Sequence, residues 1–183
     1  MIGIMVFMIA IMKGMCVDML KTSIENGVGL GAVINGRIYR GEEGVSGEFG
    51  HLTIDPQGPA CRCGKQGCVE AYVGNIAIMR DARQAALNGQ WDCEDPDRLT
   101  YESVVRAAQN GADVLQQLFV RAGRMLGVGI SHLITLFNPT KIIITGQGVR
   151  AGKLIFDVMY STLEKCLSAK FGRRTTQIIV QQW

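Results

Sequence analysis

GEFGHLTIDPQGPACRCGKQGCVE, residues 47–70, gathers one histidine, three cysteines and two glutamates among glycines that bend the backbone. Cys61, Cys63 and Cys68 form a C-x-C-x4-C cluster, and His51 lies ten residues upstream of it. Gly64 and Gly67 fall between the last two cysteines, where a tight loop needs residues that tolerate positive φ. Three thiolates and an imidazole make a Cys3His set suited to a closed, tetrahedral structural zinc site. The plainer alternative is a group of small buried hydrophobes with one satisfied histidine. Three cysteines within eight residues, threaded with glycine, favour Zn2+ with His51, Cys61, Cys63 and Cys68 as ligands.

The rest of the composition sets bounds. A chain of 183 residues is long enough for one core, or for one lobe of a larger protein. With 48% apolar and 19% charged residues it reads as a soluble globular chain. A net charge of +3 is too small to argue for nucleic-acid or membrane binding. Cys16, Cys93 and Cys166 are scattered while the other three have ligand spacing, a pattern of a reducing, cytoplasmic compartment. Residues 1–19 hold six of the nine methionines without a clear period. Their apolar run of twelve is too short to span a bilayer, and Lys13 follows that run, unlike the basic start of a signal peptide. This Met-rich segment is expected to lie outside the fold that begins at residue 20.

From Leu20 onward the pattern is regular. Lys21 to Glu25 predicts a strand, and two N-G turns at Asn26-Gly27 and Asn35-Gly36 frame strands over Val28–Ile34 and Arg37–Tyr39 as an antiparallel meander. A further strand is expected at His51–Ile54. Helical spacing then covers the start at Glu70, Ile76–Leu87, Tyr101–Gln109 and Ala112–Phe137, with a polar stretch over 90–100. Asn138-Pro139 ends the long helix. KIIIT at 141–145 reads as a buried strand running into Gly146-Gln147-Gly148, followed by a helix at Lys153–Leu167 and a strand at Gln177–Val180. Helix, strand, helix, strand after a meander predicts an α/β fold with a mixed sheet and flanking helices.

With these motifs placed, the chain resembles the ROK family (repressors, open reading frames and kinases). GEFGH at Gly47–His51 is similar to its G-E-x-G-H signature, and CRCGKQGCVE at Cys61–Glu70 to its C-x-C-G-x-x-G-C-x-E motif. NPTKIIITGQG at Asn138–Gly148 falls in the corresponding order. The resemblance implies the carboxy-terminal lobe of the actin-like (ribonuclease H-like) ATPase fold, with a zinc loop, over residues 20–183, truncated at both ends. It assigns the zinc to His51, Cys61, Cys63 and Cys68, and a monosaccharide or amino sugar to Glu48, His51 and Glu70. A carboxylate can accept from two adjacent sugar hydroxyls, and a histidine has one ring nitrogen for a metal and one for a ligand. Gly27, Gly29, Gly146 and Gly148 correspond to glycines near the nucleotide in the kinases, but Glu25-Asn26 replaces the small hydroxyl residue usual there. A carboxylate beside phosphates is electrostatically unwelcome.

The kinase branch needs an acidic, glycine-rich phosphate loop and an Asn-Asp pair whose aspartate deprotonates the sugar. Both would lie upstream of the matching stretch, so no catalytic residue is expected in this chain. Three readings follow. The first is the sugar-binding, dimerising lobe of a ROK regulator, a homo-oligomer that meets DNA only through a separate head. The second is the corresponding lobe of a hexose kinase that would use ATP and Mg2+. The third is a zinc-stabilised structural piece without a ligand.

Overall fold

The structure is a computed structural model that describes residues 18–167 and 176–181. Most of the Met-rich segment therefore lies outside the described residues. The first strand, β1, spans Met19–Ile24, beginning two residues before its expected start. β2 (Val28–Ile34) and β3 (Arg37–Tyr39) follow as a meander. Asn35 and Gly36 both take positive φ, at 51° and 72°, which a two-residue hairpin turn requires. β4 (Lys141–Thr145) and β5 (Gln177–Val180) complete a five-stranded sheet of order β3-β2-β1-β4-β5. β1 pairs antiparallel with β2 and parallel with β4, β2 pairs antiparallel with β3, and β4 pairs parallel with β5.

Among the described residues five helices connect the strands: α1 (Glu70–Val73), α2 (Asn75–Leu87), α3 (Tyr101–Gln109), α4 (Asp113–Phe137) and α5 (Lys153–Cys166). The polar stretch before α3 holds one short 3-10 turn, Pro96–Arg98, and Thr100 with Ser103 forms a capping box that starts α3. None of the described helices is long and apolar enough to cross a membrane.

One element differs from expectation. His51–Ile54 is not a strand: Phe49–His51 is a 3-10 turn, and Thr53 makes a single bridge to Cys68. The backbone groups of this segment find partners in the cysteine loop instead of a sheet. Ile54 and Asp55 N–H both donate to the Gly67 carbonyl, and Val69 N–H donates to the Leu52 carbonyl. Pro56, lacking an N–H, then ends any further pairing.

The period of two along the strands sorts the core. Leu20 and Ile24 of β1 and Ile142 and Ile144 of β4 join Leu126, Ile130 and Ile134 of α4 and Ile155 and Met159 of α5 in one buried cluster. Met19, Val33, Ile38 and Ile143 form a second cluster. α4 is the central support. A Cβ at its Gly123 would stand 2.4 Å from the Ile155 carbonyl, so α5 packs on it at backbone distance. At Gly129 a Cβ would stand 2.9 Å from the Phe49 ring and 3.2 Å from Val69. The same helix thus seats the residues that lead into His51 and Glu70.

Candidate functional site

The chain from Gly47 to Glu70 folds over the end of the sheet where β1 and β4 finish. Leu30 N–H donates to the Gly47 carbonyl, and a Cβ at Gly50 would stand 2.1 Å from the Val28 carbonyl, so the loop rests on the β2 backbone. Carboxyl ends of parallel strands are the common ligand-facing edge of α/β sheets.

Within this loop the cysteines form a knuckle. Gly67 N–H donates to the Pro59 carbonyl, Cys61 N–H to Lys65 and Gly64 N–H back to Cys61. Gly64 and Gly67 have φ of 88° and 65°, as the spacing predicts. The knuckle and the 3-10 turn bring His51, Cys61, Cys63 and Cys68 together, their four donor atoms all within 4.8 Å of one another. His51 Nδ1 lies 3.5 Å from Cys61 Sγ, and Cys63 Sγ lies 3.7 Å from Cys68 Sγ. A tetrahedron with ordinary zinc bond lengths has S···N edges of about 3.5 Å and S···S edges of about 3.8 Å. Burial, and then its neighbouring sulfurs, push the Cys68 thiol up to about 12, so a thiolate there calls for a cation beside it. The donor set and its spacing therefore fit a tetrahedral metal ion.

The other face of the imidazole is turned elsewhere. His51 Nε2 lies 3.9 Å from Glu48 Oε2, with the Glu48 side chain 55% exposed and the His51 side chain 24% exposed. Glu70 is placed differently. Its residue is only 6% exposed, and its carboxylate accepts from Val28 N–H at 3.0 Å and from Arg62 Nε at 2.6 Å. Glu48 and His51 are thus brought together, whereas the described bonds of Glu70 go to Arg62 and β2. Arg62 is the residue that sequence reasoning missed. Its signal was its place between two of the cysteines, opposite a carboxylate eight residues on.

The glycines near the strand ends serve the chain's own packing. A Cβ at Gly27 would meet Glu70 Oε2 at 2.4 Å, one at Gly146 the Ile24 carbonyl at 2.3 Å, and one at Gly148 the Ile24 side chain at 2.2 Å. Gly29 alone among these four has open space where its Cβ would be. Glu25 Oε1 accepts from Gln147 N–H at 3.2 Å. Asn75 Nδ2 donates to Gln147 Oε1, Gln147 Nε2 donates to Glu102, and Arg150 donates to the same carboxylate. The Gln147 bond, first among several, holds the Glu102 carboxyl below its ordinary value. The ends of β1 and β4 are thus tied by a carboxylate-rich network.

Tyr72 braces the knuckle from below, donating to Asp55 Oδ2 at 2.5 Å. Burial, and then Asp55, push its phenol up to about 12 from an ordinary 10. A raised folded-state value means stability that is complete below pH 10 and lost as pH rises towards 12. Alkaline titration of stability should show this decline, and Tyr72→Phe should lessen it; an unchanged profile in the variant would discount the bond.

A metal-competent knuckle thus stands at the carboxyl edge of a mixed five-stranded sheet, with His51 placed between the sulfurs and Glu48. The ROK family model matches residues 11–183, and the chain belongs to the ROK family. It is 33% identical over 155 residues to the DNA-binding transcriptional dual regulator NagC of Escherichia coli (strain K12), covering 85% of this chain and 37% of that protein. The ROK hexokinase of Thermus thermophilus overlays with a TM-score of 0.77 at 30% identity, over 88% of this chain and 53% of that one. The ROK family glucokinase of Streptomyces griseus, solved with glucose and AMPPNP, overlays with a TM-score of 0.76 at 29% identity, over 92% and 56%. The chain thus spans between about a third and just over half the length of these relatives.

Proposed function

We propose that this chain is the sugar-binding, dimerising lobe of a ROK transcriptional regulator, its sugar-reading loop stiffened by a structural zinc ion. The observation that carries the reading is the double orientation of His51, Nδ1 to the sulfur cluster and Nε2 towards Glu48. His51, Cys61, Cys63 and Cys68 would hold the zinc, which supplies rigidity when bound and fixes the imidazole's tautomer. Glu48 and Glu70 would accept from sugar hydroxyls, with His51 Nε2–H as a donor. The ligand class is a monosaccharide or amino sugar. DNA would be met by a separate head, not by this lobe, and the cytoplasm is the compartment in which such thiols stay reduced.

The regulator reading is favoured over the kinase reading by Glu25. Its carboxylate occupies the Gln147 amide at the strand ends, adding negative charge where a nucleotide's phosphates would approach. The overlay on sugar kinases favours the second reading, in which Gly27, Gly29, Gly146 and Gly148 border ATP and Mg2+. Calorimetric titration separates the two. Zinc-loaded chain is expected to take up a hexose or amino sugar with millimolar or tighter affinity and to give no heat with Mg-ATP. Glu48→Gln should weaken sugar binding about tenfold, the cost of a lost charge-assisted hydrogen bond. Nucleotide binding without sugar binding would overturn the reading.

A further inference from the structure

Glu70 presents a conflict that its surroundings resolve in one way. A carboxylate has about four lone-pair directions. Three are taken: Oε2 accepts from Val28 N–H at 3.0 Å and from Arg62 at 3.3 Å, and Oε1 accepts from Arg62 Nε at 2.6 Å. Two adjacent hydroxyls cannot both be accepted while all three donors stay.

The Val28 amide is fixed in β2, but Arg62 is free to leave. Its side chain is 65% exposed, and both of its described hydrogen bonds end on Glu70. Space is reserved for the pair as well. A Cβ at Gly27 would stand 2.4 Å from Glu70 Oε2 and 2.7 Å from the Arg62 guanidinium. A small cavity bounded by Asn26, Arg62, Glu70, Ile76 and Arg80 opens beside them.

We propose that Arg62 is a displaceable stand-in for the sugar's hydroxyl donors on Glu70, and so a specificity-determining residue of the loop. An arriving ligand replaces the guanidinium on Oε1. Ligands with two adjacent hydroxyls directed at Glu70 replace both of its hydrogen bonds, while those with one do not. The sign of the effect separates this from mere support. If Arg62 only steadied Glu70, its loss would loosen the carboxylate and weaken binding. As a competitor, its loss strengthens binding. This inference rests on the reading that Glu70 faces the sugar.

The test titrates zinc-loaded chain, R62Q and R62K with a hexose and with its monodeoxy derivatives. A neutral amide competes about half as well as a charged guanidinium, so R62Q should bind the hexose about three- to tenfold more tightly. R62K should fall between the two, and the gain should shrink for the deoxy sugar that lacks one of the paired hydroxyls. In wild-type chain the Arg62 Nε–H resonance should move to its solvent-exposed position as sugar saturates. R62Q and R62K binding as wild type or more weakly, with Nε–H unmoved, would overturn the proposal and leave sugar binding intact. A folded, metal-loaded chain that binds no hexose or amino sugar would overturn the sugar reading and this inference with it. Should R62Q lose its fold, R62K and the Nε–H resonance decide alone.

Discussion

Cys68→Ser is expected to strip the metal from the chain and to loosen everything from Leu52 to Val69. Cys68 is fully buried, bridges Thr53, and lies 3.7 Å from Cys63 Sγ and 3.6 Å from the His51 carbonyl. Among the described residues, the only other donors gathered there are His51, Cys61 and Cys63, which already fill the remaining three positions. A metal bound by the folded chain alone adds about 4 kcal/mol when free metal exceeds Kd a thousandfold. The variant should lose that amount, and a chelator that destabilises wild type should leave it unaffected. Elemental analysis of protein purified without added metal should give about one zinc per wild-type chain and nearly none in the variant. Equal melting temperatures for wild type, variant and chelated wild type would remove zinc from the description.

Gly67→Ala should do comparable damage without touching a ligand atom. Gly67 has φ of 65°, and an added Cβ would stand 1.5 Å from the Asp55 carbonyl oxygen. That atom is backbone, so no side-chain rotation relieves the clash. The Gly67 carbonyl also accepts from both Ile54 and Asp55. Relief therefore means giving up the pairing that docks the knuckle, at a cost of about 3 kcal/mol or more. Gly64→Ala is the matched control, since its φ is 88° but nothing lies within 4 Å of its Cβ position. It should cost only the left-handed strain, about 1–2 kcal/mol. Urea titration of the metal-loaded variants measures both; equal costs would show that the contact with Asp55 is unimportant.

These contrasts mark what could be read from residues alone. The hairpin at Asn35-Gly36 and the positive φ of Gly64 and Gly67 follow from local chemistry, and the pattern names them. The strands Val28–Ile34, Arg37–Tyr39 and Lys141–Thr145 were legible for the same reason, as was the helix Tyr101–Gln109, because hydrophobic period and turn residues agree there. His51–Ile54 was misread because its alternation matches a strand while its partners lie in an irregular loop. The packing of Gly27, Gly146 and Gly148 against Glu70 and Ile24 was not legible, because the neighbours come from distant parts of the chain. Glu70 lies 43 residues from Gly27, and Ile24 lies 122 and 124 residues from Gly146 and Gly148, and no local spacing encodes such meetings. Arg62 lies only eight residues from Glu70, so its partner was within reach of a local reading, but the pairing depends on how the knuckle folds back on β2.

The ring of His51 offers the most direct test of a zinc-braced sugar loop. The chain has only two histidines, His51 and His132, so their ring nitrogens can be resolved by nitrogen-15 spectroscopy. In metal-loaded chain His51 should show a metal-bound Nδ1 and a protonated Nε2, and added hexose or amino sugar should shift Nε2 while Nδ1 stays fixed. A His51 Nδ1 that carries no metal, or an Nε2 unmoved by saturating sugar, would contradict it.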